Sequence, residues 1–256
     1  MTQLRASIAI VLSVALPMAC INLEDPTAGN PPRLVVQGVM DLRAAQQTIL
    51  VFRARTGSDA WNSADDDEPV GDAEVSITTP EGVTVRSSFG NPGFYPFPKL
   101  DTTSLQLRPG GSYTLHVRTS QGEEAAGTTT IPLAPVDLVP QSQSFDRTID
   151  TLHLSWPRVA GARSYEVFVR SRVSTYRVFT DTSIVMAGTT LTTGGDPVFP
   201  AGTRVRVIVS AVDQNYYDYY STQSDPFAGP APGHLAGAIG VFGSIASVMS
   251  LQLTVR

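Results

Sequence analysis

The chain has 256 residues, of which 42% are apolar and only 16% charged, with a formal net charge of −5. That apolar share fills one large core or two small ones. The acidic balance and the lack of a basic stretch exclude a typical nucleic-acid binder, and a single cysteine excludes a disulfide-stapled scaffold.

The chain opens with MTQLR and an apolar run over residues 6–19. A bilayer span needs about 20 apolar residues, so this run has the length of a secretory signal peptide, residues 1–19, rather than of a transmembrane helix. Small Ala19 stands directly before Cys20. The arrangement resembles a bacterial lipobox, although Pro17 occupies the place usually held by leucine, with Leu16 beside it. The resemblance implies cleavage before Cys20 and attachment of a lipid to its thiol. Two or more acyl chains hold a protein firmly where one is marginal. Residues 20–33 include Gly29-Asn30-Pro31-Pro32, which cannot propagate a helix, and they read as a lipid-anchored tether. Ile21 behind the cysteine is compatible with sorting to an outer membrane.

From Leu34 the hydrophobic signal has period two, the mark of half-buried strands. Val35 and Val36 continue a first strand and residues 48–52 form a second. Residues 73–78 alternate so that Ala73, Val75 and Ile77 share one face. Pro80-Glu81-Gly82 is a turn signal, and Pro109-Gly110-Gly111 turns into a strand with Tyr113, Leu115 and Val117 inward. Another strand follows over residues 126–131. Short strands punctuated by Gly and Pro predict a first β-sandwich over residues 34–134.

Three prolines in residues 132–140 read as a linker. Beyond it, Leu152, Leu154 and Trp156 share a face, and Tyr165, Val167 and Val169 form the next inward row. Residues 203–212 alternate most strongly, with Val205, Val207, Val209 and Ala211 facing one way and Arg204 and Arg206 the other. Met249, Leu251, Leu253 and Val255 predict a closing strand. This leaves a long excursion, residues 213–246, inside a second β-sandwich over residues 135–256. The early tryptophan, the stretch GARSYEVFV and the valine-rich later strand resemble a fibronectin type III domain. The expected fold class is therefore all-β: two tandem sandwiches, Ig-like or fibronectin type III-like, behind a cleaved lipoprotein signal peptide.

An ordered set of segments runs through the chain: RLVVQG, PVGDAEVSI, GFYPF, GGSYTLHV, YYDYYSTQSDPF and GAIGVFGS. With the leader, this set resembles the bacterial lipoprotein family catalogued as domain of unknown function 4249. The resemblance implies an outer-membrane lipoprotein, periplasmic or surface-exposed, of a kind associated with TonB-dependent receptor systems. It implies no biochemical activity.

The residues themselves offer little chemistry. His116, His153 and His234 lie far apart, without a second ligand at metal-site spacing, and no serine sits in a nucleophile elbow. The sequence thus assigns no catalytic residue, metal or cofactor. The acidic run Asp65-Asp66-Asp67-Glu68 lacks the alternation of a calcium loop and reads as a solvated loop. Tyr216, Tyr217, Tyr219 and Tyr220 flank Asp218. Exposed, these rings would stack on sugars or grip a protein partner; buried, they would cover the sandwich edge in one short helical turn. Gly237, Gly240 and Gly243 around Phe242 read as a snug turn or, less simply, as a ligand loop. The leading expectation is a non-enzymatic binding module, attached to the membrane through Cys20, whose partner is an outer-membrane receptor protein or a glycan. A structural envelope spacer and a glycan-active hydrolase are the alternatives; the last needs two carboxylates brought together in space.

Overall fold

The computed structural model describes residues 33–54, 68–88, 90–98, 105–135, 142–222 and 233–256. The signal peptide, Cys20, nearly all of the tether and Asp65, Asp66 and Asp67 of the acidic run lie outside the described residues.

The first half contains β1 (Arg33–Asp41), β2 (Gln46–Ala54), β3 (Glu68–Pro69), β4 (Glu74–Thr78), β5 (Thr84–Arg86), β6 (Phe94–Pro98), β7 (Ser112–Arg118) and β8 (Glu124–Thr130). The second contains β9 (Ser142–Phe145), β10 (Thr151–Ser155), β11 (Ser164–Arg170), β12 (Thr175–Thr180), β13 (Ser183–Ala187), β14 (Arg204–Val212), α1 (Gln214–Thr222), β15 (Leu235–Ala236) and β16 (Ile239–Val255). The fold is all-β, as the alternation predicts. Leu34, Val36 and Met40 of β1 point inward, as do Tyr113, Leu115 and Val117 of β7 and Val205, Val207 and Val209 of β14.

These strands form three sheets. The largest runs β12-β11-β14-β16-β1-β2-β3, with β6 also on β2 and β9 also on β16. A five-stranded sheet, β15-β8-β7-β4-β5, covers one part of it, and the pair β10-β13 covers another. Two cores result. One gathers Val36, Ile49, Ile77, Tyr113 and Leu115; the other gathers Leu152, Trp156, Tyr165, Val207 and Phe199. In the second, the β10-β13 pair facing β12-β11-β14-β16 is the arrangement of a fibronectin type III-like sandwich. Trp156 packs on Tyr165 with ring centroids 5.5 Å apart.

In its described residues, the expected excursion over residues 213–246 is largely regular structure rather than loop. Its described part contains α1, β15 and the beginning of β16, and the closing strand starts at Ile239 rather than near Met249. The first half of β16 pairs in parallel with β1, from Val35↔Ile239 to Asp41↔Ile245. The rest pairs antiparallel with β14, reaching Arg204↔Thr254. Phe242 and Ala246 thus fill the first core, while Leu251 and Leu253 fill the second. Residues 240–246 are buried throughout because α1 covers the face that does not meet the first core. A strand covered on both faces shows no alternation, which is why this stretch reads as a turn in the sequence.

The turn assigned to Gly240, Phe242 and Gly243 is corrected accordingly: all three lie in β16, and Gly237 stands at the bend before it. Two of the glycines are required by close approach. Gly240 has φ +114°, and a Cβ there would run into the Val36 carbonyl. At Gly243 a Cβ would lie 2.8 Å from the backbone nitrogen of Tyr216, so only glycine lets α1 sit directly on the sheet.

Candidate functional site

Asp213 caps α1. One carboxylate oxygen accepts hydrogen bonds from the backbone N–H of Tyr216 at 2.9 Å and of Ser244 at 3.0 Å. The other accepts from the Thr129 hydroxyl at 2.6 Å. Burial raises the Asp213 carboxyl above its ordinary range, against the pull of these donors. Next along the helix, Asn215 Nδ2 donates to the carbonyls of Thr128 and Phe242, both at 2.8 Å. Residues of α1, β8 and β16 are therefore tied together at the junction of the two cores.

The predicted tyrosine cluster belongs to this junction. Tyr216 is only 5% exposed. Its hydroxyl donates to Glu166 Oε1 at 2.9 Å, and Arg177 Nε lies 2.8 Å from the same oxygen. Burial raises the Glu166 carboxyl, with Arg177 opposing the shift, and burial likewise raises the phenols of Tyr216 and Tyr220. Tyr220 stacks on Tyr216 at 4.4 Å and meets Tyr219 edge-on at 5.1 Å. Tyr217 packs on Phe179 at 5.4 Å under the Arg163 guanidinium, and Tyr219 accepts a hydrogen bond from Gln37 Nε2. Of the two alternatives left open by the sequence, the geometry realises packing on a short helix for Tyr216; the other three rings are half-buried. Tyr216→Phe is expected to lose about 1–2 kcal/mol in urea unfolding, because it removes a donor from a buried carboxylate that Arg177 still holds. A change below a few tenths would show that the hydroxyl has little part in the junction.

The open site lies elsewhere, on the outer face of the five-stranded sheet, as a cleft of about 660 Å³. Strand register builds it. Arg86, Ser76, His116, Ala126 and Ala236 stand in one row across all five strands. Glu74, Arg118 and Glu124 stand in the neighbouring row. Small side chains at Ser76, Ala126 and Ala236 leave a depression, and charged ones rim it. The ion pairs of the rim are long and exposed, 3.4 Å for Arg86–Glu74 and 3.6 Å for Arg118–Glu124. Such pairs contribute at most about 1 kcal/mol each, so a ligand can take over their hydrogen-bonding groups at little cost. The volume falls within the range of ligand-holding pockets. Sequence reading misses this site because five strands contribute one residue each to the row. The signal available was the outward set implied by the alternation, Glu74 and Ser76 on β4 with His116 and Arg118 on β7.

The three histidines are not brought together. His116 lies in the cleft, His153 faces outward opposite Val185, and His234 Nε2 sits 2.8 Å from Asp218 Oδ2. Among the described residues, no group of three or more His, Cys, Asp or Glu is disposed to hold a metal ion. Nor is any described helix long and apolar enough to cross a membrane.

Solved structures similar to the chain include three with repeated β-domains or adhesin descriptions. The FN1-FN3 domains of chicken CNTN1 share 14% identity, covering 88% of this chain and 66% of that one at a TM-score of 0.25. A Ca2+-stabilized adhesin with which an Antarctic bacterium binds ice shares 11%, covering 89% and 50% at a TM-score of 0.23. A 1.5-MDa bacterial ice-binding adhesin shares 15%, covering 89% and 66% at a TM-score of 0.22. The chain thus spans between half and two thirds of the length of these structures. A search of curated proteins returns no match. The family described as domain of unknown function (DUF4249) matches residues 21–250, and the chain belongs to that family.

Proposed function

We propose that the chain is a non-enzymatic binding module of the bacterial cell envelope, anchored in the outer membrane through a lipid on Cys20. It holds its partner in the cleft on the outer face of the five-stranded sheet. The cleft carries the reading: it is open, of ligand-holding size, and the charged and polar side chains of Glu74, Ser76, Arg86, His116, Arg118 and Glu124 that line it stand on strands. The buried groups with raised pKa values, Glu166, Asp213 and Tyr216, support a non-catalytic role because each is engaged with a neighbour in the junction. Within the cleft, Arg118 stands between Glu74 and Glu124 in the register. Hydrolysis of a glycosidic bond needs two carboxylates facing each other across the bond instead. The partner in this reading is a receptor protein of a TonB-dependent outer-membrane system, or a glycan displayed beside it.

Crosslinked pull-down from intact envelopes tests this. The native chain is expected to capture a defined partner, and Ala126→Trp, which fills the floor of the cleft, is expected to lose it with little change in melting temperature. Equal capture by both chains would remove the cleft from the reading. Capture of nothing by the native chain would favour the spacer role. The absence of an acyl mass on Cys20 would defeat the anchor.

A further inference from the structure

Two neighbouring strands of the second half set three arginines together on one sheet face. On β14, alternation sends Val205, Val207 and Val209 into the core and Arg204 and Arg206 to solvent. On β11, Val167 and Val169 go inward, and Arg170 goes out. The register sets Arg170 directly opposite Arg206, with Arg204 two residues along the same face. Like charges opposed across an antiparallel pair repel, with Cβ atoms about 4.5–5.5 Å apart. The next strands offer no counter-charge: Gln252 and Thr254 stand beside Arg206 and Arg204, and Thr175 beside Arg170. Among the described residues, none of these three guanidinium groups has a carboxylate within 4.0 Å. One row further on, Arg177 is already paired with Glu166.

The same face carries apolar surface. Phe168 and Ile208, opposite each other in the register, are half-buried there, and Val173 in the β11–β12 turn is 67% exposed. We propose that this sheet face docks on a membrane surface bearing anionic phosphate headgroups. Guanidinium forks match phosphate oxygens in pairs, and several phosphates arrayed in a plane relieve the repulsion between Arg170 and Arg206. A sheet face has no walls to enclose a lone phosphate, whereas a lipid surface is flat like the face itself. The exposed valine of the turn that follows Arg170 fits the boundary between headgroups and acyl chains. The proposal needs neither the cleft, which lies on the five-stranded sheet, nor the lipid on Cys20.

Vesicle co-sedimentation decides it. The chain freed of residues 1–19 and carrying Cys20→Ser is used, so that neither the apolar leader nor an acyl group contributes. It is expected to sediment with phosphatidylcholine vesicles containing about one third phosphatidylglycerol, and not with pure phosphatidylcholine. Binding is expected to fade by about 0.5 M NaCl, where charges are strongly screened. The triple variant Arg170→Gln, Arg204→Gln, Arg206→Gln should bind roughly 100-fold more weakly, with its melting temperature kept or raised because a repulsion is gone. Arg170→Gln alone should weaken binding roughly fivefold. The double variant Arg86→Gln, Arg118→Gln, which alters only the cleft, should bind like the parent chain. Equal binding to neutral vesicles, full binding by the triple variant, or an equal loss in the cleft variant would each overturn the proposal. Inorganic phosphate at millimolar concentration should compete weakly; complete displacement would point to a site for free phosphate and overturn the membrane assignment.

Discussion

Replacing Asp213 by alanine is expected to destabilise the protein by about 3 kcal/mol, the loss of a helix cap together with buried donors left without an acceptor. The carboxylate accepts from two backbone N–H groups and one hydroxyl, contributed by α1, β16 and β8. Its removal leaves the amides of Tyr216 and Ser244 and the Thr129 hydroxyl unsatisfied in a site shielded from water. Asp213→Asn keeps an acceptor for both amides, and its amide group can donate to the Thr129 oxygen, so its loss should stay within about 1 kcal/mol. Urea unfolding of the two variants separates capping from charge. Similar losses in both would mean that the negative charge, not the hydrogen bonding, holds the junction.

The same pair of variants tests a pH dependence. Burial raises the folded-state carboxyls of Asp213 and Glu166 above their ordinary values of 3.8 and 4.5. A group shifted upward binds more protons in the folded state, so its contribution is fully present below the unfolded value and is lost as pH rises through the folded one. Glu123 is shifted the other way, chiefly by its hydrogen bond from Arg53, and its contribution is lost as pH falls below about 4.5. The junction should therefore tighten as pH falls through the raised folded-state values of Asp213 and Glu166, whereas the Arg53–Glu123 pair weakens as pH falls below the ordinary range of Glu123. Hydrogen exchange at the Ser244 amide, corrected for its intrinsic rate, reports this directly. Asp213→Asn should flatten the response at that amide; an unchanged response would assign it to another group.

Gly240→Ala is expected to be at least as damaging, at about 4 kcal/mol. Backbone strain at φ +114° accounts for about 1–3 kcal/mol, and the rest comes from a Cβ driven into the Val36 carbonyl. The strand cannot step aside, because β16 is held by β1 on one side and by β14 further along. Both halves should lose cooperativity together, since Phe242 and Leu251 of this one strand belong to different cores. Thermal melts read through Trp156 fluorescence in a Trp61→Phe background, with hydrogen exchange on β1, should shift in parallel. A shift confined to β1 would show that the strand does not couple the cores.

Much of the fold is legible in the residues because a strand with one wet face must alternate. Val205, Val207 and Val209 against Arg204 and Arg206 is such a pattern, and so is Tyr113, Leu115 and Val117 in β7. Where a strand is covered on both faces the code disappears, and residues 240–246, rich in glycine, pass for a turn. The tyrosines were ambiguous for a related reason. Amphipathic rings suit a ligand face or a helix cover equally well, and only the position of Tyr216 over Glu166 and Arg177 separates the two.

By itself, then, the sequence determined the all-β class, the inward rows of most strands and membership of a family recognised by an ordered set of short segments. These are local properties, carried by residues close in the chain. Tertiary structure decided what depends on register between distant strands. It joined the two cores through β16, assembled the cleft from five strands, and set Arg170 opposite Arg206, residues 36 positions apart in the chain. Register is set by the pairing of whole strands and by the burial it achieves. No short stretch of residues carries that information.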